Sequence, residues 1–334
     1  MLLSAALGAL LLPSPPPVAE GERWVREYAR AAELAAEDGR DLLLDFTGSD
    51  WCSWCKKLKR EVFQQPAFLA GVSEDFVLVT VDLPRGPDAI ARVPDIAANR
   101  ELARRYGVRS FPTIVLTTAD GTEYGRTGYR EGGAGPYLEH LAELRRTGRA
   151  PLLAARALRE AFDGGDAEAR REAALESLDL FPTLPERSVG VELLVPVLAH
   201  HRELDPEDER GDLTRSLRLL LLSTKADEAS IALARERDPA NEAGLLELAV
   251  YAQAFWAAQP EEQRAAVQEI LALHRLGPIR EPRAAKVLYP YGALWASSHL
   301  RDLETAKELA RLGLPLLDNS SPLKRQLQAL LRRR

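Results

Sequence analysis

The spacing of apolar residues divides the chain into a first half of mixed elements and a second half of helices. In the first half, two apolar runs have the length and composition of buried strands, Asp41–Thr47 and Phe76–Asp82. Helical spacing surrounds these runs, and glycine or proline marks the predicted helix ends at Gly39, Pro66 and Gly107. The predicted helices cover residues 22–38, 56–65, 96–106 and 137–146.

A β-hairpin is predicted between the last two of these helices. The apolar run 111–116 leads into a turn at Asp120-Gly121, and residues 123–129 return as a second strand. Residues 83–95, rich in proline, glycine and arginine, are expected to form a loop. The order of elements predicts an α/β fold in which an antiparallel hairpin extends a parallel strand pair, with helices on both faces of the mixed sheet.

From residue 149 to residue 334 the pattern changes, because leucine and alanine recur at helical spacing and no strand pattern appears. Breaks at glycine and proline divide this all-α region into eight to ten predicted helices. Two segments, 237–249 and 302–310, resemble the joins between tetratricopeptide units, but no strict period links them. A tetratricopeptide-like repeat array and an irregular helical bundle both stay open.

The first residues have the pattern of an export signal. Residues 1–12 are apolar, and prolines and small residues follow up to Ala19. The apolar run is too short for a stable membrane span, which needs about 20 residues. We therefore predict a signal peptide over residues 1–20 and an exported, periplasmic protein, with the cytoplasm as the alternative location. No stable membrane span is expected beyond an uncleaved signal.

Length and charge narrow the class of protein further. With 334 residues the chain is too long for one ordinary compact core, and we expect two domains after the signal, residues 21–148 and 149–334. Charged residues make up 28% of the chain and the apolar set 46%, with a net charge of −6 and no long block of one sign. This composition is typical of a soluble globular protein and makes nucleic-acid binding a poor hypothesis.

The only two cysteines lie three positions apart, directly after the first apolar run. Cys52 and Cys55 belong to the sequence Trp-Cys-Ser-Trp-Cys-Lys over residues 51–56. A thiolate is nucleophilic only when ionised, and the unpaired N–H groups and dipole of a helix start lower the pKa of a cysteine there. A second thiol one turn later can resolve the mixed disulfide that the first one forms. The spacing therefore favours dithiol redox chemistry.

The cysteine count excludes several kinds of metal or haem site that this chain would have to form alone. A zinc ribbon needs a second cysteine pair and a zinc finger needs two suitably spaced histidines, and the chain has neither. Haem attachment needs a histidine after the second cysteine, where the chain has Lys56. The five histidines favour solvated or capping roles over metal binding. An inert pair and a metal site completed by a partner chain stay open.

With these motifs in order, residues 22–147 resemble a thioredoxin-fold protein. The resemblance rests on the following residues and motifs: Asp45-Phe46, Trp51-Cys52-Ser53-Trp54-Cys55-Lys56, Phe111-Pro112-Thr113 and Asp120-Gly121. The segment after the cysteines, residues 57–68, is more similar to bacterial envelope thioredoxin-like domains than to cytosolic thioredoxin. It is also similar to the C-terminal domain of the transmembrane disulfide interchange reductase.

The resemblance implies a role for each residue of a candidate active site. Cys52 would be the attacking thiolate at the exposed start of a helix, and Cys55 would be the resolving thiol. Asp45 would be a buried carboxylate that takes the proton of Cys55. The link from Asp45 to Cys52 is one residue longer than in the family. The alternative for Asp45 is a surface position at the end of an edge strand. Lys56 should lower the pKa of Cys52, and Asp50 should raise it.

Four further residues are implied to bind the client protein. An X–Pro bond before a strand is usually trans. In the family, however, the proline at the position of Pro112 is cis and lies against the cysteine pair, so the resemblance implies a cis bond here. Phe111 would offer its N–H and C=O groups to an extended client chain by strand addition. Trp51 and Trp54 flank the cysteines, and Trp54 either provides an exposed docking surface or packs over Cys55.

Together these residues predict a thiol–disulfide oxidoreductase that exchanges disulfides with client proteins and with an unidentified redox partner. It would need no cofactor or metal beyond the redox-active Cys52–Cys55 disulfide. Reduction of clients is favoured over oxidation, but Ser53-Trp54 matches neither the familiar reducing nor the familiar oxidising dipeptide of the family. The alternative is a non-catalytic interaction protein whose helical half binds partners and whose thioredoxin-like domain is a docking module.

Overall fold

The computed structural model describes residues 24–333. The chain divides into two compact units, of which the first ends at Arg149 and the second begins at Ala150. Each unit has its own buried apolar core. The predicted signal peptide, residues 1–20, lies outside the described residues.

The first unit is built on a five-stranded sheet. Its strands are β1 Trp24–Val25, β2 Asp41–Thr47, β3 Phe76–Asp82, β4 Thr113–Thr117 and β5 Glu123–Thr127. They lie in the order β1-β3-β2-β4-β5. Strands β1 and β2 run parallel to β3, and β4 runs antiparallel to both β2 and β5. The predicted mixed sheet of a thioredoxin fold is confirmed.

Helices cover both faces of this sheet. They are α1 Tyr28–Asp38, α2 Ser53–Leu58, α3 Pro66–Gly71, α4 Pro87–Ile90, α5 Ile96–Arg105 and α6 Ala134–Leu144. Residues of α1 and α5 pack with Leu44 and Phe46 of β2 in one core. On the other face, Phe68 of α3 packs edge-on against Tyr137 of α6. Because side chains alternate along a strand, Asp45 faces this second side, where α2 lies.

The predicted helix over residues 22–38 is wrong at its start. Trp24 lies in β1, which pairs with β3, and the helix begins only at Tyr28. Trp24 and Tyr28 have helical spacing in the sequence, but the edge strand gains backbone hydrogen bonds to β3. It also places the Trp24 ring 4.9 Å from that of Phe63. Tertiary pairing therefore overrides a local pattern that fitted a helix.

The predicted helix after the cysteines is interrupted. The sequence predicts one helix over residues 56–65, but α2 passes into a π-helical turn, Lys59–Phe63, before Pro66 begins α3. A second π-helical turn, Arg145–Arg149, follows α6. Such turns hold one extra residue, and an apolar pattern read at 3.6 residues per turn does not reveal them. The predicted loop over residues 83–95 contains the short α4.

Among the described residues of the second unit, every regular element is helical, as predicted. Its helices are α7 Ala150–Gly164, α8 Ala167–Leu180, α9 Val189–Ala199, α10 His201–Leu204, α11 Asp212–Leu222, α12 Glu228–Arg237, α13 Leu245–Trp256, α14 Pro260–Leu276, α15 Pro282–Trp295, α16 Leu303–Gly313 and α17 Pro322–Leu331. These eleven exceed the predicted eight to ten, because α10 is a single turn and two breaks lack glycine and proline. The chain turns there at Thr224 and Arg301, with left-handed φ of 59° and 56°.

Helices of the second unit pack both on their neighbours in sequence and on the next helix but one. Thus α11 packs on α13, α13 on α15 and α15 on α17, while α12, α14 and α16 pack beside them. This is the contact pattern of stacked helix pairs. A tetratricopeptide character of the array stays a prediction. Among the described residues, no helix combines the length and apolar character needed to cross a membrane.

Two loops of the second unit share one geometry. Asp205 and Asp238 each precede a proline, with φ and ψ of −140° and 57° in the first and −137° and 57° in the second. Each carboxylate accepts hydrogen bonds from two backbone N–H groups that follow it, from Glu209 and Arg210 in the first loop and from Ala243 and the first residue of α13, Leu245, in the second. Each loop ends at a glycine with positive φ, Gly211 before α11 and Gly244 before α13. The loops lie 33 residues apart, so this part of the second unit contains a local structural repeat.

Candidate active site

The two cysteines lie where β2 gives way to α2. Cys52 is the N-cap residue of α2, and its Sγ accepts a hydrogen bond of 3.1 Å from the backbone N–H of Cys55. Cys52 and Cys55 form a disulfide and are 5% and 4% exposed. An N–H group of the first helical turn that points at Sγ stabilises negative charge on that sulfur. The geometry therefore suits Cys52 as the attacking thiolate. The exposed position expected for Cys52 is wrong in this disulfide form, because both cysteines are buried.

The loop before Cys52 is one residue longer than the family pattern, and it is hydrogen-bonded to the end of β3 and to the residue that follows β3. The backbone N–H of Ser49 donates to Asp82 Oδ1 at 2.9 Å, and Trp51 Nε1 donates to the carbonyl of Leu83 at 3.0 Å. A Cβ on Gly48 would lie only 2.4 Å from the indole of Trp51, so a larger residue there would displace that indole. These contacts hold the longer loop in one position beside β2.

Asp50 caps the neighbouring loop. Its carboxylate accepts hydrogen bonds from the backbone N–H groups of Arg85 and Gly86, at 3.1 and 2.7 Å. The Gly86 N–H group, as the largest cause, lowers the pKa of the Asp50 carboxyl, which is exposed. Lys56 Nζ donates to the backbone carbonyl of Asp50 at 2.8 Å. Both charges expected beside the cysteines are present, and the carboxylate of Asp50 is used to fix a loop.

Asp45 is a buried carboxylate in a central strand. It lies in β2 between β3 and β4 and is 9% exposed, so the alternative of a surface residue on an edge strand is wrong. Burial, followed by the nearby charge of Asp82 and opposed by Lys59, raises the pKa of Asp45 to about 7. Its Oδ1 has no hydrogen-bond partner among the described residues. A carboxyl with a pKa near neutrality can accept and release a proton under ordinary conditions.

A cavity connects this carboxyl with Cys55. Its volume is about 950 Å³, and both Asp45 and Cys55 line it. The cationic side chains of Arg26, Lys56 and Lys59 also contribute to its wall. The extra residue in the loop therefore leaves Asp45 and Cys55 on the wall of one cavity.

The Phe111–Pro112 peptide bond is cis, as the resemblance implied. Pro112 directly precedes β4, where Thr113 pairs with Phe46 of β2. The ring of Phe111 lies 5.3 Å from that of Trp51, so the loop before β4 meets the loop that carries Cys52. The guanidinium of Arg85 lies 3.9 Å from the centre of the Trp51 ring.

Trp54 is 53% exposed, and its ring lies 5.2 Å from that of Tyr129. Lys57 Nζ lies 5.2 Å from the Trp54 ring centre and 4.8 Å from the Tyr129 ring centre. The hydroxyl of Tyr129 donates to Glu61 at 2.7 Å. Of the two positions considered for Trp54, the structure has the exposed one, with an aromatic neighbour that is distant in sequence.

Sequence reasoning missed several residues of this region. Asp82, Arg85 and Tyr129 contact the site from segments that no motif marks. Lys57 lies in the segment that carries the resemblance, but no role was predicted for it. The available signals were an aspartate at the end of a buried strand and a tyrosine at the end of the hairpin. Among the described residues, no group of three or more histidine, cysteine, aspartate or glutamate side chains could hold a metal ion. His201, expected to be solvated or capping, is buried and bonded to the carbonyl of Ala174.

Comparison with known proteins agrees with this geometry. Residues 28–134 match the family model of the thioredoxin-like domain. The disulfide bond reductase DsbH of Chlamydia pneumoniae is 32% identical over 125 residues, which cover 37% of this chain and 74% of that protein. The thiol:disulfide interchange protein DsbD of Vibrio vulnificus is 30% identical over 125 residues, which cover 36% of this chain but 19% of that protein.

A solved structure of a DsbH oxidoreductase is 30% identical and covers 42% of this chain and 95% of its own, with a TM-score of 0.33. The match to DsbH in sequence covers most of that protein. This chain also has an intact cysteine pair at the start of a helix. The chain therefore belongs to the thioredoxin-like family of thiol–disulfide oxidoreductases.

Proposed function

We propose that this protein is an exported oxidoreductase that reduces disulfides in client proteins through Cys52 and Cys55. The observation that carries the proposal is the N–H group of Cys55 directed at Cys52 Sγ, beside a cavity that Cys55 shares with the buried Asp45, whose pKa is about 7. The similarity to a disulfide bond reductase supports reduction as the direction. The apolar residues 1–12 support export.

The first step forms a mixed disulfide. In the reduced protein, the thiolate of Cys52 attacks one sulfur of the client disulfide, and a Cys52–client disulfide forms. The other client sulfur leaves as a thiolate and takes a proton from solvent. The helix N-terminus and the Cys55 N–H group stabilise the charge on Cys52 before the attack.

The second step releases the reduced client. Asp45 takes the proton of Cys55, and the resulting thiolate attacks Cys52 Sγ. The second client sulfur leaves, and the Cys52–Cys55 disulfide of the structure forms. Two electrons have then passed from the dithiol to the client. A dithiol redox partner must reduce the disulfide by the same exchange in reverse, and no other cofactor is required.

The client would bind along the loop before β4. Phe111 would pair its backbone with an extended client segment beside the cis Pro112. Trp51, held by Leu83 and covered by Arg85, would form one wall of this site. The exposed Trp54 would form the other.

A trapping experiment tests the proposed chemistry. Cys55→Ser should retain attack by Cys52 and lack resolution, so it should accumulate covalent client adducts that reductant releases. Cys52→Ser is the matched control and should form none. Adducts that are absent in Cys55→Ser, together with wild-type protein that does not reduce insulin disulfides, would contradict the proposed function.

The direction of transfer needs a separate measurement. Equilibration of Cys52–Cys55 with a glutathione buffer gives the potential of the pair. Potentials in this fold span about 150 mV, from thioredoxin at about −270 mV to DsbA at about −120 mV. A value near the first supports reduction of clients, and a value near the second would reverse the proposed direction.

A further inference from the structure

The sheet surface under α2 carries an unusual group of polar side chains. Because Asp45 is in register with Thr80 and Thr47 with Asp82, these four residues of the parallel strands β2 and β3 face the same side. All four line the cavity that also reaches Cys55. A second carboxylate therefore lies on the same wall as the proposed base, two residues further along the neighbouring strand.

Asp82 is held in place by two hydrogen bonds. It is 8% exposed, and its Oδ1 accepts the backbone N–H of Ser49 at 2.9 Å. Its backbone carbonyl accepts Asn99 Nδ2 at 2.9 Å. Among the described residues, no lysine, arginine or histidine forms an ion pair with Asp82. The carboxylate is therefore fixed by the loop that carries Cys52, on the cavity wall that it shares with Asp45.

Other charged groups face the same cavity. Lys59 of the π-helical turn acts on Asp45 in the opposite sense to Asp82, but more weakly. From the elements around the cavity, the remaining charged or titratable groups are Arg26 after β1, Asp50 before α2, Lys56 of α2, Arg92 after α4 and Tyr137 of α6. The guanidinium of Arg26 donates to the carbonyl of Arg92 at 3.1 Å, and Asp50 is bonded to backbone N–H groups. Asp82 is thus the carboxylate with the largest effect on Asp45.

We propose that Asp82 is a positioning residue for the resolving step, where its negative charge makes Asp45 a stronger base toward Cys55 and its bond to Ser49 fixes the loop before Cys52. This inference rests on the proposed function and adds a residue to it. The proton passes from Cys55 Sγ to Asp45, and from there to solvent through the cavity. Asp82 itself neither contacts a reacting sulfur nor gains the proton.

The physical reason is the gap in pKa between an ordinary carboxyl group and a thiol. An ordinary aspartate, with a pKa of about 3.9, is a weak base toward a thiol whose pKa is about 8.5. Burial and a neighbouring negative charge both favour the protonated form of Asp45 and narrow that gap. Proton transfer is fastest when the base has a pKa close to the working pH.

The experiment follows the two steps separately. When reduced protein reacts with excess aryl disulfide, attack by Cys52 releases one aryl thiolate, and attack by Cys55 on the mixed disulfide releases a second. In Asp82→Asn, the amide oxygen keeps an acceptor for Ser49 but the charge is lost. In the pH–rate profile of the second phase, the acid limb, where the rate rises as Asp45 loses its proton, should move about one pH unit lower. Its plateau rate should fall about threefold because the base is weaker, and the first phase should keep its pH profile.

Two control variants separate charge from structure. Asn99→Ala removes the hydrogen bond to the backbone of Asp82 and keeps the carboxylate, so its acid limb should stay at the wild-type position. Asp45→Asn should abolish that limb. A limb that does not move in Asp82→Asn, or that moves equally in Asn99→Ala, would overturn the inference. Wild-type protein that releases no aryl thiolate would instead contradict the proposed function.

A measurement on the wild-type protein covers the case in which Asp82→Asn does not fold. The side-chain carboxyl carbons of Asp45 and Asp82 can be followed by NMR from pH 5 to pH 9. Asp82 should keep the chemical shift of a carboxylate across the range in which Asp45 titrates. An Asp82 carboxyl that is protonated in that range would carry no charge, and the inference would fail.

Discussion

At the scale of single residues, the burial of Asp45 has an effect on stability as well as on chemistry. The pKa of Asp45 is about 7 in the folded protein, against 3.8 as its ordinary value. Between these two pH values the folded state holds a proton that the unfolded state has released. The free energy of unfolding must therefore fall as the pH rises through this window, and the loss is complete above pH 7.

Asp45→Asn should remove this loss. We expect the oxidised variant to be more stable than the wild type at pH 8 by up to about 4 kcal/mol, with a much smaller difference at pH 4. Urea denaturation at both pH values measures the effect. Glu37→Gln, which removes an exposed carboxylate of α1, is the control and should change stability by less than about 0.5 kcal/mol. An equal stabilisation at both pH values would contradict the assignment of a raised pKa to Asp45.

The exposed Trp54 should matter for large clients and not for small disulfides. Trp54→Ala removes an aromatic surface that rests on Tyr129 and Lys57. We expect kcat/KM for a cysteine-containing peptide disulfide to fall about tenfold, because such an aromatic contact contributes roughly 1–1.5 kcal/mol. The rate with a small aryl disulfide should change less than about twofold.

Trp256→Ala provides a matched control, since Trp256 is 61% exposed in the second unit and lies outside the site. It should leave both rates unchanged. Equal losses on peptide and aryl disulfides in Trp54→Ala would indicate a role in the chemistry, and no loss on either would remove Trp54 from the client site.

Sequence reasoning found the residues of the site that belong to short motifs and missed those that come from distant segments. Cys52, Cys55 and the cis Pro112 each follow from a local pattern and the resemblance it supports. The contact of Tyr129 with Trp54 and the position of Asp82 beside Asp45 depend on strand register and on loop packing. A single sequence contains no signal for such contacts, because each residue suits its own strand or loop whether or not the distant residue lies beside it.

At the scale of elements, the strands and the longer helices were predicted more accurately than the turns. The bounds of β2 and β3 agree with the two predicted apolar runs, because a continuous run of buried apolar side chains marks a strand without tertiary information. The short β1 and the π-helical turn Lys59–Phe63 depend on tertiary contacts, which local periodicity does not contain. Thr224 and Arg301 adopt positive φ without the glycine that normally announces it.

The repeated loop before α13 gives a test of what stabilises the second unit. Asp238 is 5% exposed, and its carboxylate accepts the N–H groups of Ala243 and Leu245 at 3.2 and 2.8 Å. Asp238→Ala leaves these donors without an acceptor, so the opening free energy of α13 should fall by about 2–3 kcal/mol. Amide hydrogen exchange of α13 measures it.

The neighbouring Glu242 is the control for this loop, because its side chain is exposed. Glu242→Ala should change the opening free energy by less than about 0.5 kcal/mol. Asp205→Ala, the equivalent change in the loop before α11, should weaken the protection of α11 in the same way. If Asp238→Ala and Glu242→Ala behave alike, the carboxylate does not organise the loop.

At the scale of the whole molecule, the chemistry and the helical array belong to different units. Cys52, Cys55, Asp45 and Pro112 all lie before Arg149, in a unit with its own sheet and core. The second unit supplies none of these groups. We therefore expect the second unit to affect reduction through the choice of client or redox partner and not through the sulfur chemistry.

A truncation test follows from this division. The fragment of residues 21–149 contains the complete sheet and every residue of the proposed site, so it should reduce a small aryl disulfide at the rate of the full chain, within about twofold. Its rate with a folded client protein should fall if the helical array binds clients, and the full chain with Cys55→Ser should then trap clients that the fragment with Cys55→Ser does not. Circular dichroism of the fragment must first show a folded α/β protein. A folded fragment that loses activity on the small disulfide would mean that the second unit takes part in the chemistry, contrary to the division of roles proposed here.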